Sequence, residues 1–535
     1  MKKNIVLICI ILLAAVLRLW QLGNVPPSPD WDEAALGYNA YSIMHTGRDE
    51  YGAYMPIVLE SFGDFKPALY TYFVIPFIAM FGLETFAVRL PSAIFGILTV
   101  LATYFLVRAL FKRKDIALIA ALLLAISPWH IQFSRVGFES NIGLAFNVFA
   151  ALFFIKGLKK PWMLFLSAAC MGLNFSVYQS DRVFTPLLAI VLVAIYWREL
   201  IVVSRKYLVG AVLVGLVALS PFLMYLATND QALARAKGVS VFSKQTDALF
   251  LSNNKLQDDK EQHNLLGQIL HNRRVVYAQQ IIGGYLSHYD LNWLFITGDM
   301  PRHHAPGMGL LYLWELPFLL FGFYALLFFN FPKQTKWLLF AWFFLAPVPA
   351  AITNDVPHAV RTLNFLPTFQ VFVAVGIVSA FAFVHDKKKL IKKQGLFVVW
   401  GAVLLIAGFN FFYYLNQYFA QQNYFVSQDW QYGYKEAVAS VKAIEGNYDK
   451  IVVSNELPLD QSYIFFLYYQ KYSPQEYQKS QHIEKYEFRP INWDKEKKDP
   501  KVLYVNRAMD VPQGSETIKT INYLDGTPAI RLIQW

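Results

Sequence analysis

Residues 67–82, "PALYTYFVIPFIAMFG", decide how the rest of the chain is threaded. The segment is apolar but short for a bilayer span, which takes roughly 20 residues, and Pro76 interrupts it. Eleven other segments have the length and apolarity of spans, near residues 4–22, 87–110, 115–133, 139–156, 161–178, 183–199, 206–228, 309–330, 335–352, 362–384 and 395–418. Six short basic pieces lie at their ends: Lys2-Lys3, "RALFKRK" (108–114), "KGLKK" (156–160), residues 198–206, "PKQTK" (332–336) and "HDKKKLIKKQ" (385–394). If 67–82 lies along the outer interface or dips into it, all six pieces face the cytoplasm. If it crosses, only the first does. The positive-inside rule selects the former, giving eleven spans with the N-terminus inside and the C-terminal portion outside.

Composition agrees. Of 535 residues, 56% are hydrophobic and 16% charged, against about 25% charged in soluble domains. The chain therefore reads as an α-helical polytopic membrane protein with water-exposed parts. The formal charge of +11 belongs to loops that set topology, so no nucleic-acid partner is implied. Cys9 and Cys170 both lie in apolar runs, which argues against a disulfide framework or a zinc site. The N-terminal run lacks a small-x-small cleavage site and reads as a retained first span.

Two domains are expected. Residues 1–418 form a transmembrane domain with outer loops 23–86 and 229–308, the second holding an amphipathic helix over 264–286. Residues 419–535 alternate a helical pattern, "YKEAVASVKAIEG", with the β-branched runs "DKIVVSNE", "KVLYVNR", "ETIKTINYL" and "PAIRLIQW". That alternation predicts a small extracytoplasmic α/β domain. No Gly-rich phosphate loop and no repeat of 20–50 residues is present.

This topology gathers the polar residues on the outer face. In "SPDWDEAALGYNAYSI" (28–43), Asp30, Asp32 and Glu33 precede an amphipathic helical pattern; they suit a helix cap, a metal site or a catalytic base. Pro67 fits the first turn of a helix, so Lys66 in "DFKPALY" is expected at that helix's start, either binding phosphate with the helix dipole or snorkelling to headgroups. Arg135 and Glu139 in "FSRVGFESN" form either an i,i+4 pair or part of a site. Tyr178, Asp181 and Arg182 in "YQSDRVF" suit capping and anchoring, with substrate contact as the alternative. His358 and Arg361 in "DVPHAVRT" stand at an outer span end, where an arginine suits bidentate phosphate recognition or headgroup anchoring. "GDMPRHHAPG" carries Asp299, Arg302, His303 and His304. Adjacent histidines seldom hold one ion alone, so this loop reads as a donor or acceptor contact, and no divalent metal is expected.

The order of the early "DE", "FGDFKPALYTYFV" and "FGLETFAVRLPSAIFGILTVLATYFLVRALF" resembles the polyprenyl-phosphate-dependent glycosyltransferases of the GT-C fold, in particular the protein mannosyltransferase and aminoarabinose (lipid A) transferase group. The likeness is strongest over residues 28–115, looser through 182, and returns in "DVPHAVRTLNFLPTFQVFVAVG". It implies transfer of a sugar from a polyprenyl-phosphate donor at the outer face of the cell membrane. The acceptor would be a protein, a glycolipid or a cell-wall glycan. The family's motif aspartate falls on Asp32, with Glu33 beside it and Asp30 left as the cap. Its Lys-Pro falls on Lys66, its second acid on Glu139, and a phosphate-binding role on Arg361 with His358. The glutamate that often precedes the family lysine is replaced here by Phe65. A transporter or flippase of a lipid-linked sugar is a competing reading, but would carry repeated halves and polar residues at mid-membrane depth. A polymerase or ligase using a lipid-diphosphate donor is the other.

Overall fold

The computed structural model describes residues 5–229, 238, 240–243, 245–386 and 393–535. Lys2, Lys3 and residues 387–392 of the basic run at 385–394 lie outside the described residues. Each of the eleven expected spans falls on a helix. Among the described residues, five helices are long and apolar enough to cross a membrane by themselves: Thr85–Phe111, Glu139–Gly157, Arg205–Thr228, Leu363–Val384 and Phe397–Val426. The third expected span is a bent pair, Lys114–Ile126 and Pro128–Ser134, at 59°. Its break has a local cause: Ser127 Oγ accepts from the His130 amide as an N-cap, and Pro128 opens the second helix. The remaining apolar helices are shorter. The chain is a multi-pass membrane protein.

The early elements that matter for the site are α1 (Ile5–Leu19), α2 (Trp31–Thr46), a hairpin of β1 (Val58–Ser61) and β2 (Asp64–Pro67), α3 (Leu69–Phe81), α4 (Thr85–Phe111), α5 (Lys114–Ile126), α6 (Pro128–Ser134), α7 (Glu139–Gly157), α8 (Met163–Asn174) and α9 (Asp181–Ile195). Close helix approach relies on missing side chains. A Cβ on Gly322 or on Gly376 would lie 1.9 Å from a backbone oxygen of the facing helix, which is how small residues let membrane helices dock.

The C-terminal domain carries a five-stranded sheet of order β4-β3-β5-β7-β6. Its strands are β3 (Lys450–Val453), β4 (Tyr486–Phe488), β5 (Val502–Arg507), β6 (Glu516–Asn522) and β7 (Pro528–Gln534). β3 is parallel to β4 and β5, while β7 runs antiparallel to β5 and β6. The four β-branched runs became β3, β5, β6 and β7. The short β4 and the helices Ser462–Gln470 and Pro474–Ser480 carried no comparable signal.

Three local expectations are corrected. α2 is not amphipathic: Glu33 through Ala40 are all buried, because α3 and α4 cover one side and the helix Ser462–Gln470 covers the other. Lys66 lies on β2, and helix α3 begins only at Leu69, so the helix dipole does not assist its charge. The expected helix over 264–286 is two helices, Leu265–Leu270 and Arg273–Ser287, because Asn272 caps the second by accepting from the Arg274 amide.

Candidate active site

The acids of the opening stretch point three ways. Asp30 caps α2: Oδ1 accepts from the Glu33 amide at 2.8 Å, and Oδ2 accepts from Arg302 Nη1 at 2.7 Å. Burial pushes its carboxyl up to about 6; Arg302 opposes this, and the neighbouring Asp32 and Glu33 add to it.

Glu33 turns inward. Its two oxygens accept from Arg89 Nε and Nη2 at 2.8 and 2.7 Å, and Oε1 also accepts from the Gly137 amide at 2.7 Å. Arg89 further donates to the carbonyls of Leu22, Pro26 and Ser28. Both side chains are sealed from solvent. A fork–fork pair with every donor committed is a clamp. The expectation that Glu33 shares in the chemistry therefore gives way to a structural role.

Asp32 alone faces outward. Its side chain is 36% exposed and pairs with Lys66, whose ammonium also lies 5.1 Å from the Phe62 ring. Burial alone would pull Lys66 down, but the Asp32 and Glu139 carboxylates outweigh it and hold the ammonium above its ordinary value. Glu139 opens α7 and is half-buried. Tyr178 stands within electrostatic reach of Arg361, Glu139, Asp181 and Asp32. Lys66 thus holds Asp32, Glu139 stands within electrostatic reach of Lys66, and Tyr178 stands within reach of both acids and of Arg361, with Asp32 the accessible carboxylate.

Arg361 is half-buried and donates to Thr353 Oγ1 at 2.7 Å and to the Asn354 carbonyl at 2.5 Å. These contacts fix its turn. His358 stands within electrostatic reach of Arg361. It packs on His303 with ring centroids 5.2 Å apart, and its amide donates to His288 Nε2 at 3.1 Å. Burial, with Arg361 and His303 nearby, pushes the His358 imidazole down to about 3.

Several expected contacts are structural. Arg135 makes no pair with Glu139: Nη1 and Nη2 donate to the Leu17 and Val25 carbonyls, both at 2.9 Å, and the guanidinium sits 4.8 Å from the Phe419 ring. Asp181 accepts from Asn147 and Asn364 amides at 2.9 and 2.8 Å, tying α9 to α7 and to the Leu363–Phe365 turn. Arg182 donates to the Phe175 carbonyl and Gln179 and lies 4.3 Å from the Phe222 ring. Arg302 spans from Asp30 to the Trp31 ring, 4.5 Å away, and so ties its own loop to the start of α2.

One set among the described residues has the chemistry of a divalent-cation site: Asp299, His303 and His358, whose ligand atoms all lie within 4.8 Å of one another. The pair of adjacent histidines was misleading. His304 Nδ1 faces the Ala305 and Met308 carbonyls, while His303 Nδ1 and the Ala359 amide both meet Asp299 Oδ2 at 2.8 Å. His358 Nδ1 is buried without a hydrogen-bond partner.

Arg89 was the residue that sequence reasoning missed, although it stands in the quoted "RLPS". Its signal was a charge within an apolar helix, which requires a partner, and Glu33 was available.

Residues 65–225 match the family described as dolichyl-phosphate-mannose-protein mannosyltransferase. Among curated proteins, none matches the sequence significantly. The fold is similar over 99% of this chain and 98% of the other to ArnT from Cupriavidus metallidurans, solved bound to undecaprenyl phosphate, with 12% identity and a TM-score of 0.56. It is also similar to the oligosaccharyltransferase AglB from Archaeoglobus fulgidus, solved with an inhibitory peptide and a dolichol-phosphate, at 14% identity and a TM-score of 0.50, over 86% of this chain and 63% of that one. The chain shares its fold, of the GT-C type, with ArnT and AglB, and its residues 65–225 match the dolichyl-phosphate-mannose-protein mannosyltransferase family.

Proposed function

We propose that the protein transfers a sugar from a polyprenyl-phosphate donor to an acceptor at the outer face of the membrane. The observation that carries this reading is the exposed Asp32 carboxylate paired with Lys66, with Glu139, Tyr178 and Arg361 around them. Asp32 takes the proton of the acceptor's nucleophile, which attacks the anomeric carbon as the bond to phosphate oxygen breaks. Lys66 and Arg361 meet the charge that develops on the leaving lipid phosphate. Glu139 orients the acceptor. The undecaprenyl phosphate bound by ArnT supports the lipid class, and the spans supply an apolar surface for its tail. The transfer needs no divalent ion, since two cations already serve the phosphate.

Sidedness rests on charge. Basic pieces at 108–114, 156–160, 198–206 and 332–336 lie at the ends of helices opposite to the Asp32–Lys66 pair in the threading with the N-terminus inside. α3 then stays in the outer half of the membrane, and the C-terminal domain is extracytoplasmic. A transporter or flippase finds less support, because the accessible acid and its cations meet at one end of the helices.

The deciding experiment incubates purified protein with a panel of polyprenyl-phosphate sugars and bacterial membrane acceptors, comparing wild type with Asp32→Asn. Removing a general base lowers kcat by roughly 10²–10⁴-fold. Equal turnover by the variant eliminates Asp32 as the base. No turnover of any monophosphate donor, with turnover of a diphosphate donor, moves the protein to the polymerase or ligase class.

A further inference from the structure

A second cavity opens on the C-terminal domain, between the helices Ser462–Gln470 and Pro474–Ser480 and strand β4. Its volume is about 470 Å³, inside the ~300–1,000 Å³ span of small-ligand sites. Aromatic faces and primary amides share the lining: Tyr463, Tyr477 and Phe488 with Asn455, Gln461 and Gln481. The two charged residues on its wall are paired, Glu487 accepting from Lys450 Nζ at 2.6 Å and from Arg489 Nε at 3.1 Å while Arg489 also donates to Glu496, and His482 completes the lining. Flat rings take up the C–H faces of a ligand, while amides donate to and accept from its hydroxyls. A charge-balanced wall gives no net attraction to phosphate or carboxylate. That combination fits a neutral saccharide. Edge strand β4 is only three residues long, which leaves little ladder for an extended peptide to join.

Position gives the cleft its purpose. The Tyr463 ring meets the Phe62 ring edge-on, with centroids 5.9 Å apart. Phe62, at the turn of the β1–β2 hairpin, lies 5.1 Å from the Lys66 ammonium, and Lys66 holds Asp32. Tyr51 and Tyr463 also meet through their hydroxyls at 3.4 Å. Tyr463 of the cleft and Phe62 of the hairpin therefore form a relay of two rings between the cleft and Lys66. We infer that this cleft is the acceptor subsite, seating a neutral oligosaccharide whose end reaches Asp32. The acceptor is then a glycan or glycolipid rather than a bare protein hydroxyl. This inference rests on the transfer reading for its purpose, but not for its measurement.

The test is isothermal titration of the full-length protein in detergent, without donor. The probes are α-1,6-mannotetraose, maltotetraose, β-1,4-galactotetraose, an anionic hyaluronan tetrasaccharide and a threonine-rich decapeptide. At least one neutral tetrasaccharide binds the wild type. Tyr463→Ala and the surface substitution Asn455→Ala each weaken it at least tenfold, the second guarding against a folding defect in the first. The inference is overturned if no neutral saccharide binds, if neither substitution changes the affinity, or if the peptide or the anionic probe binds in their place. Saccharide binding without transfer from any lipid-phosphate sugar would defeat the transfer reading alone. Transfer to glycans left intact in both variants would defeat the subsite alone.

Discussion

Substituting Asp32 and Glu33 separately divides two adjacent acids that sequence alone treats alike. Glu33→Gln removes the charge from a buried fork that receives two Arg89 bonds and one Gly137 bond. Glutamine keeps one accepting oxygen but turns an NH2 group toward a guanidinium. Arg89 retains its three carbonyl partners, so the loss belongs at the lower end of the roughly 3–5 kcal/mol that follows from stranding one member of a buried pair. Arg89→Met loses all five donated bonds and strands Glu33, and it belongs at the upper end. Asp32→Asn removes a 36% exposed carboxylate but leaves the largely buried Lys66 ammonium with Glu139 within reach, so its cost lies above the ~1 kcal/mol of exposed pairs and below the roughly 3–5 kcal/mol of stranding a fully buried one. The assay is thermal unfolding in detergent by intrinsic fluorescence, followed by transfer measured per folded molecule. Glu33→Gln lowers the melting temperature clearly but keeps kcat within tenfold. Asp32→Asn melts between Glu33→Gln and wild type and loses transfer. A Glu33→Gln protein that melts like wild type and is inactive would refute the division of roles.

Other outcomes follow from the same geometry. Burial pushes the Glu50 carboxyl up to about 8, although Asn39 Nδ2 donates to it at 3.1 Å. The folded state thus holds a proton that the unfolded chain releases near pH 4.5, so this residue's contribution falls as pH rises from there to about 8, by about 1.4 kcal/mol per unit at most. Glu50→Gln should melt like wild type at pH 4.5 and higher than wild type at pH 8.5; parallel curves would show that Glu50 does not titrate in that window. Dialysis against EDTA should leave transfer within twofold, and a loss restored by zinc or manganese would bring Asp299, His303 and His358 into the chemistry. Cysteine placed at Asp64 should label from outside intact cells and cysteine at Leu390 only after permeabilisation; outside labelling at 390 would invert the threading after the second span.

Much of the membrane domain was legible because a bilayer demands long apolar runs, and all eleven runs are largely helical, those at 115–133, 183–199 and 335–352 each broken into two helices. Strands β3, β5, β6 and β7 were legible for a similar reason, as β-branched runs between polar breaks. What escaped were contacts across sequence. Nothing near Glu33 announces that Arg89, 56 residues on, will meet it. Arg135 and Glu139 have ideal i,i+4 spacing, but Arg135 lies in the corner between α6 and α7 and reaches the Leu17 and Val25 carbonyls instead. Pro67 correctly marks a boundary, yet a proline suits a strand end as well as a helix start, and here it closes β2. His303 and His304 are neighbours whose rings part ways, so the cation-type cluster formed with a histidine 55 residues further on.

The burial of α2 on both sides changes how the C-terminal domain should be regarded. A lid that only covers a site can leave without disturbing the elements beneath it. Here the contacts follow α2 along its length. Gln431 Oε1 accepts from the Trp31 amide at 3.0 Å, beside the cap at Asp30, and Ser28 donates to the Trp430 carbonyl. A Cβ on Gly37 would strike the Tyr468 ring at 2.7 Å, so the helix and that ring are already in close contact. Tyr38 donates to the Tyr472 carbonyl at 3.2 Å, and Gln478 donates to Ser42 and Thr46 near the helix end. The apolar residues Leu36, Ala40 and Ile43 are buried in this packing, and removing the partner would expose part of that surface at about 25 cal/mol per Å². The direction of Asp32 is set by the first turn of this helix, and the first turn is held by Asp30, Arg302 and Gln431 together. The domain is therefore part of what aims the carboxylate, because Gln431 holds the turn from which Asp32 projects.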